Sequence, residues 1–279
     1  MPLLAMEGWV LKGIDYSETS RIVTLWTKEK GKIRALAKGA RRLKSPFENA
    51  LDLLNLCRFQ VIHKGGNSLD LITESRVVDA YRGLRNHLPN LYAAYHVAEL
   101  LAEGTEDLDP HPDLFEGVHD TLGWFSREAP ETRIQGRLSP EASWVLIQFE
   151  FFYLSQTGYL PNFQHCHACN RVPTPKTAKW TFHADAGAIF CEECYGTQVT
   201  HSSHLAKTAA ISKSRLDSFF PSSHPISPDA LDAAGRLGNR EQCAEVVAEK
   251  IRMELRALLN HYLTWLRGRR PKLIGFLGG

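Results

Sequence analysis

Four cysteines form two closely spaced pairs in the second half of the chain. Cys166 and Cys169 lie in "HCHACN", and Cys191 and Cys194 lie in "IFCEEC". Two residues separate the members of each pair, and 21 residues separate the two pairs. Each C-x2-C turn can present two thiolates, so together the pairs can complete a tetrahedron around Zn²⁺ with no open coordination position. The spacing therefore predicts one zinc ion with a structural role.

Other uses of paired cysteines fit this sequence less well. Disulfides require an oxidising compartment, and no segment targets the chain to one. A redox C-x-x-C motif belongs at the strand–helix junction of a thioredoxin-like unit, which the sequence does not indicate. A zinc deaminase requires an H-x-E element and a proline before a C-x-x-C pair. Here Asp185 lies two residues after His183, and Phe190 precedes Cys191.

Two histidines and two further cysteines are weaker candidates as ligands. His165 and His167 flank Cys166 and could each replace a thiolate, although an exposed position on the turn is the simpler interpretation. Cys57 and Cys243 fall on apolar faces of their segments, so we expect both thiols to be buried and unreactive.

The N-terminal part contains a second chemical feature, a concentration of positive charge. The stretch "KEKGKIRALAKGARRLKS" has eight basic residues and one acid, although the chain of 279 residues has a net charge of only +2. Residues 1–80 carry 13 basic and 9 acidic side chains, residues 81–165 carry 5 and 12, and residues 166–279 carry 15 and 10. A basic start, an acidic middle and a basic end indicate domains with different partners.

Five short segments typical of β-strands should position these basic residues. They read "EGWVLKGID", "TSRIVTLWT", "GKIRALAKG", "LCRFQVIHK" and "SLDLITESR". In the third segment Lys32, Arg34 and Lys38 share one face, and Ile33 and Ala35 share the other. Five strands in about 75 residues predict a small OB-fold barrel, with an SH3-like barrel as the close alternative.

Basic residues on a barrel strand and in the loop that follows it suit the binding of a phosphate backbone. OB barrels bind single strands through a positive groove and aromatic stacking platforms. Tyr16 is the best stacking candidate, because Trp9 and Trp26 are expected in the core. The alternative is a solvated basic edge that prevents aggregation between strands. The predicted DNA contacts are Lys32, Arg34, Lys38, Arg41, Arg42, Lys44 and Tyr16.

From about residue 79 the apolar residues recur with a helical period. The predicted helices are "PNLYAAYHVAELLAEG", "PDLFEGVHDTLGWFSRE", "SPEASWVLIQFEFFYLSQTG" and "REQCAEVVAEKIRMELRALLNHYLTWLRG", and residues 218–229 are predicted as a loop. The third helix is apolar nearly all round and should be buried. The fold class is therefore α+β. The predicted domains are an OB barrel at 1–78, a helical domain in two parts at 79–160 and 201–267, an inserted zinc ribbon at 161–200 and a basic tail at 268–279.

The sequence lacks the motifs of common enzyme classes. It has no phosphate-binding P-loop, no G-x-G-x-x-G, no G-x-S-x-G and no H-E-x-x-H. This favours a binding protein over an enzyme. No segment reaches about 18 uncharged apolar residues, and the N-terminal residues lack the pattern of a signal peptide. We therefore expect a soluble, cytoplasmic protein without a membrane partner.

The order of segments along the chain resembles the bacterial RecO family of DNA repair and recombination mediators. The resemblance rests on "VLKGIDYSETSRIVTLWTKEKGKIRALAKGARRLKS", "LDLLNLCRFQVI", "AAYHVAELLAE", "FYLSQTGYLPNFQHCHAC" and "GAIFCEEC", and it extends from about residue 7 to 200. It implies an OB-fold domain, a helical domain and, in many members, an inserted four-cysteine zinc site. It also implies binding to single- and double-stranded DNA and annealing of complementary strands. The implied partners are RecR and the single-stranded DNA-binding protein SSB, so that RecA can load onto coated strands.

The resemblance also assigns roles to residues of this chain. The basic barrel surface of the family maps onto the six Lys and Arg residues predicted above, and the four cysteines match its zinc ligands. The family implies a cytoplasmic protein associated with the nucleoid. The C-terminal "RGRRPKLIGFLGG" departs from the family pattern and adds Arg267, Arg269, Arg270 and Lys272, either as a second DNA contact or as a disordered end. The alternative function is that of a zinc-ribbon OB-fold protein that binds RNA.

Overall fold

Five strands form where the first 79 residues alternate apolar and polar side chains. In the computed structural model they are β1 (Leu3–Asp15), β2 (Arg21–Thr27), β3 (Gly31–Ala37), β4 (Leu56–Ile62) and β5 (Asp70–Asp79). Antiparallel pairing joins β1 to β2, β2 to β3, β1 to β4 and β4 to β5, and parallel pairing of β3 with β5 closes the barrel. This order, β1-β2-β3-β5-β4, confirms the predicted OB fold.

The barrel interior is filled by the apolar face of each strand. Ile33 and Ala35 of β3 are buried there, as the alternation predicted, together with Cys57 of β4. Phe47 also joins this core, next to the short 3₁₀ helix Glu48–Leu51. Burial raises the pKa of the Cys57 thiol to about 12, with a further contribution from Asp52. Cys57 is therefore buried and protonated, as expected.

Two helices follow the barrel, α1 (Leu88–Gly104) and α2 (Pro112–Arg127). The rings of Trp9 and Trp26 are buried, but they pack against α2 and not inside the barrel. Their centroids lie 4.3 and 5.9 Å from the ring of Phe115. The two tryptophans thus attach α2 to the outer surface of β1 and β2.

The structure describes residues 2–45, 47–65, 68–128, 136–173, 179–195, 223–241 and 245–277. The chain divides into two compact units, Met1–Gly136 and Arg137–Gly279. The first unit contains the barrel together with α1 and α2, whereas the sequence predicts these two helices as part of the helical domain. The division at residue 136 thus differs from the predicted boundaries at 78, 160 and 200.

In the described residues of the second unit, three helices of more than ten residues pack with a small sheet. The helices are α3 (Pro140–Gln156), α4 (Pro228–Gly238) and α5 (Glu249–Arg267). The sheet has the order β7-β6-β8 and consists of β6 (Trp180–His183), β7 (Ala188–Cys191) and β8 (Ser223–Ile226). The hairpin of β6 and β7 was predicted, and Ser139 begins α3 as its N-cap by accepting a hydrogen bond from the backbone N–H of Ala142.

Two predictions for the second unit were wrong in part. The described end of the predicted 218–229 loop contains β8 and the first turn of α4. The last helix begins at Glu249 and not at Arg240, because residues 245–248 are not helical. Cys243 lies outside the described residues, so its predicted burial stays a prediction.

A chain of aromatic rings holds the small sheet against the helices of its unit. The ring of Phe163 lies 5.8 Å from Phe151 of α3 and 5.7 Å from Phe182 of β6. Phe182 in turn meets Tyr262 of α5 edge-on at 5.4 Å. The sheet therefore shares an apolar core with the helices and does not depend on its own few side chains.

The described part of the basic tail is folded. Pro271 is buried, and a 3₁₀ turn at Ile274–Phe276 precedes Leu277, which is only 2% exposed. The basic tail is therefore not a disordered end in its described residues, 268–277. Among the described residues, no helix combines the length and the hydrophobicity needed to span a membrane.

Candidate metal centre and nucleic-acid interface

The four cysteines of the two C-x2-C pairs meet in space. The sulfur atoms of Cys166, Cys169, Cys191 and Cys194 all lie within 4.8 Å of one another. The distance between the sulfurs of Cys169 and Cys191 is 3.8 Å. A tetrahedral site with Zn–S bonds of about 2.3 Å has sulfur–sulfur edges of about 3.8 Å. The cluster therefore has the donor set and the size of a closed tetrahedral metal centre.

Backbone geometry positions the first pair of thiols. Asn170 adopts a positive φ of 57°, which turns the chain sharply after Cys169. The backbone N–H of Cys191 donates to the sulfur of Cys166 at 3.4 Å. Burial acts to raise the pKa of Cys166, but backbone N–H donors from Cys191, Cys169 and Ala168 outweigh it and lower that pKa to about 6. The turn thus favours a thiolate before any cation binds.

The fourth thiol shows how a cation would change the protonation of the cluster. Hydrogen bonds to Cys169 and Cys191 raise the pKa of Cys194 to about 12. Four sulfurs at this separation cannot all be ionised at neutral pH unless a positive charge lies between them. A metal ion bound between the sulfurs would supply that charge, and deprotonation of the cysteines would accompany its binding.

An exposed ion pair joins the two cysteine turns. The guanidinium of Arg171 donates to both carboxylate oxygens of Glu193, at 2.9 and 2.8 Å. This bidentate pair lowers the pKa of Glu193. The sequence did not predict this pair. Its partners are 22 residues apart, so no local pattern could reveal it.

The histidines beside Cys166 do not join the cluster. His165 Nε2 lies 3.2 Å from the side-chain nitrogen of Asn162, and the ring of His167 lies 5.4 Å from that of Phe190. Among the described residues, the group with metal-binding geometry at this place consists of the four cysteines alone.

The loop between β1 and β2 forms one part of the predicted nucleic-acid interface. Arg41, in the loop that follows β3, contacts this β1–β2 loop. Its guanidinium donates to the carbonyl of Ser17 at 2.9 Å and lies 3.3 Å from the carboxylate of Asp15. Its backbone N–H donates to the carbonyl of Thr19 at 3.1 Å. These contacts bring the loop after β3 against the β1–β2 loop.

Tyr16 lies at the surface of this arrangement. Its side chain is 63% exposed, so the ring is outside the barrel core and accessible for stacking. Five of the predicted cations, all except Lys32, are exposed on β3 and the loop that follows it. We call the resulting surface the basic face, and it consists of Arg34, Lys38, Arg41, Arg42, Lys44 and Tyr16.

Lys32 is placed differently from the rest of the predicted set. Its ammonium donates to the carbonyls of Ala102 and Thr105 at 3.0 and 2.5 Å, at the C-terminal end of α1. It also lies 3.5 Å from the carboxylate of Asp107, and the side chain is only 14% exposed. A cation at this end of a helix satisfies carbonyls that have no partner within the helix. Lys32 is thus engaged inside the first unit and is not part of the basic face.

Together, the barrel, the exposed basic loops and the cysteine cluster define an OB-fold protein with a four-cysteine ribbon. Family comparison agrees with this class. Residues 1–81 match the family described as "Recombination protein O N terminal", and residues 85–273 match "Recombination protein O C terminal". The chain therefore belongs to the RecO family.

The sequence similarity to individual relatives covers nearly the whole chain. A protein of Rhodopirellula baltica is 35% identical over 96% of both chains. Proteins of an Anaeromyxobacter species and of Myxococcus xanthus are each 28% identical, over 98% and 97% of this chain and 95% of their own. All three are named "DNA repair protein RecO".

Proposed function

We propose that this protein is a DNA-binding mediator of repair and homologous recombination, not an enzyme. The observation that carries the proposal is the basic face on an OB barrel, in a chain that matches the RecO family over both of its parts. The relatives named as DNA repair proteins support the biological role.

The basic face suits the backbone of DNA better than its bases. Arg34, Lys38, Arg42 and Lys44 present positive charge at the surface, and phosphate contacts are independent of sequence. Tyr16 adds a π-face on which any base can stack. We therefore expect binding of single strands with little sequence preference, and binding of double strands through backbone charge.

Pairing of complementary strands follows from the same chemistry. Annealing requires neutralisation of phosphate repulsion together with contacts loose enough for bases to search for their partners. Exposed Lys and Arg side chains supply both, and neither requirement involves a nucleoside triphosphate. We propose that the protein anneals strands and, with RecR, helps RecA to load onto strands coated by SSB. The family supports these partners.

We propose further that the cysteine cluster holds one Zn²⁺ ion with a structural role. Four thiolates fill all coordination positions of a tetrahedral ion, so no position is left for water or substrate. The ion would connect the two cysteine turns and stabilise the adjoining hairpin of β6 and β7. Cys166, Cys169, Cys191 and Cys194 are the ligands.

The proposed DNA site can be tested with variants that leave the loop contacts intact. Arg42→Ala/Lys44→Ala removes two exposed charges, whereas a change at Arg41 would also release Ser17 and Asp15. The matched control is Lys30→Ala/Lys250→Ala, which removes two exposed charges elsewhere. Fluorescence anisotropy with a labelled oligonucleotide should show that Arg42→Ala/Lys44→Ala binds all sequences more weakly. The slope of the logarithm of the binding constant against the logarithm of the salt concentration should become shallower by roughly 1.4, at about 0.7 per lost phosphate contact.

Annealing is measured in the same variants by fluorescence quenching of matched oligonucleotides, bare and SSB-coated, without ATP. The wild type and the control should pair strands faster than spontaneous annealing, and Arg42→Ala/Lys44→Ala should not. An equimolar competitor RNA should displace DNA less effectively than unlabelled DNA does. If the wild type binds no DNA, or if RNA displaces it more effectively, the proposed function is wrong.

A further inference from the structure

A second group of arginines lies on the barrel unit outside the basic face. Arg76 of β5 lines a concavity of about 870 Å³ with Arg82 and Arg85, which belong to the 3₁₀ turn Arg82–Asn86. We call this concavity the arginine groove. Asp52 is the one acidic residue among the described residues that line it. The groove therefore has an excess of positive charge, and the function described above does not use it.

Cross-strand pairing places a second arginine beside Arg76. Arg76 lies directly opposite Arg58 in the register of β4 and β5. Like charges in this position destabilise a sheet. Arg58 is compensated by Glu7, whose carboxylate lies 3.0 Å away. Within the described part of the chain, neither Arg76 nor Arg82 has a side-chain hydrogen bond or ion pair, and both side chains are exposed.

Arg85 is held in a fixed orientation at the same groove. One guanidinium nitrogen donates to the carbonyl of Ala80 at 2.7 Å, and another donates to the side-chain oxygen of Asn55 at 3.4 Å. Asn55 is itself buried. Arg85 thus keeps further N–H donors for an anion, and little rotamer freedom is lost when one binds.

The groove is continuous with the basic face along the chain. Ser45 lines the groove, and it directly follows Lys44 of the basic face. We propose that the arginine groove extends the path of a bound single strand beyond the basic face, with Arg76, Arg82 and Arg85 binding its phosphates. This inference rests on the proposed function. It adds a second contact region, so that long strands are bound through more phosphates than short ones.

The proposed extension of the DNA path into the arginine groove is tested by varying the length of the single-stranded DNA. OB folds engage between about 4 and 16 nucleotides, so unlabelled strands of about 6 and about 20 nucleotides separate the basic face from the full path. The variant is Arg76→Ala/Arg82→Ala, since these side chains support nothing else in the described structure. The matched control is Lys30→Ala/Lys250→Ala, and Arg76→Lys/Arg82→Lys preserves the charge.

The wild type should bind the long strand more tightly than the short one, with a steeper salt dependence. Arg76→Ala/Arg82→Ala should bind the short strand as the wild type does and lose at least about threefold in affinity for the long strand, with a salt slope lower by about 1.4. The lysine variant and the control should behave as the wild type.

Several outcomes would overturn the extension, and they differ from failure of the proposed function. Equal affinity of the alanine variant and the wild type for the long strand contradicts it. An equal loss for short and long strands also contradicts it, because the arginines would then belong to the primary site. If only the binding of a labelled poly-glutamate peptide is lost, the groove is a docking site for acidic protein. If the wild type binds neither strand, the proposed function itself fails.

Discussion

The guanidinium of Arg256 on α5 donates a 2.5 Å hydrogen bond to the carboxylate of Glu150 on α3, and neither side chain is more than 2% exposed. Asn260 accepts a second hydrogen bond from the same guanidinium at 3.3 Å. A buried ion pair contributes little compared with a well-packed apolar pair, but a buried charge that has lost its partner is costly. The pair therefore makes the packing of α3 against α5 sensitive to single substitutions.

We expect Glu150→Leu to destabilise the protein by about 3–5 kcal/mol, because it leaves Arg256 charged and buried without its counter-charge. The double variant Glu150→Leu/Arg256→Met should recover most of this loss. Urea unfolding followed by circular dichroism measures both. If the double variant is as unstable as the single one, the cost comes from packing and not from the unpaired charge.

Substitution of a cysteine in the metal centre should remove bound zinc, whereas substitution of a cysteine elsewhere should not. Cys169→Ser should reduce bound zinc from about one ion per chain to none, because a closed tetrahedral site requires all four ligands. Cys57→Ala, which changes a buried thiol of the barrel, should leave the zinc content unchanged. Metal analysis by mass spectrometry gives the content, and thermal unfolding with and without a chelator gives the contribution to stability. Wild-type protein that folds without zinc would contradict the structural role.

Two neighbouring cations of β3 should separate stability from binding. Lys32→Met removes the cation at the end of α1 and should cost about 1–3 kcal/mol of stability, while DNA affinity changes little. Arg34→Ala removes an exposed cation of the basic face. It should weaken DNA binding and change the stability of the fold little. Urea unfolding and anisotropy on both variants provide the comparison. A loss of DNA affinity in folded Lys32→Met would return Lys32 to the binding surface.

Tyr16 should contribute through its ring and not through its hydroxyl. Tyr16→Ala should weaken binding of single strands by about 1–3 kcal/mol, the range observed for base stacking, and Tyr16→Phe should have little effect. Duplex binding should change less in both variants, since paired bases are already stacked. Equal affinities of all three proteins for single strands would show that Tyr16 does not contact a base.

Acid should destabilise the second unit through His224. Burial lowers the pKa of His224 below 6.5, and the nearby His261 lowers it further, while Glu254 acts in the opposite direction. The unfolded chain thus binds more protons than the folded one around and below pH 6.5, so stability falls as pH decreases through that range. His224→Gln should lose less stability than the wild type between pH 7.5 and 5.5. If the melting temperatures of His224→Gln and the wild type fall equally between pH 7.5 and 5.5, His224 does not cause the acid destabilisation.

Much of the architecture could be predicted from the sequence because it depends on local patterns. The alternation of Lys32, Ile33, Arg34 and Ala35 identified β3 and its two faces, since side chains of a strand point alternately to opposite sides. The residues Ser139 and Pro140 similarly marked the start of α3. The spacing of the two C-x2-C pairs indicated the metal centre, because tight turns present paired thiolates whatever surrounds them.

The tertiary structure alone decided how individual side chains are used. The strand pattern gave Lys32 and Arg34 the same exposed face, but the end of α1 lies against Lys32 and removes it from the basic face. The added strand β8 and the buried pair of Glu150 and Arg256 likewise depend on segments distant in sequence. Such contacts follow from where the chain returns in space, which neither composition nor local periodicity encodes.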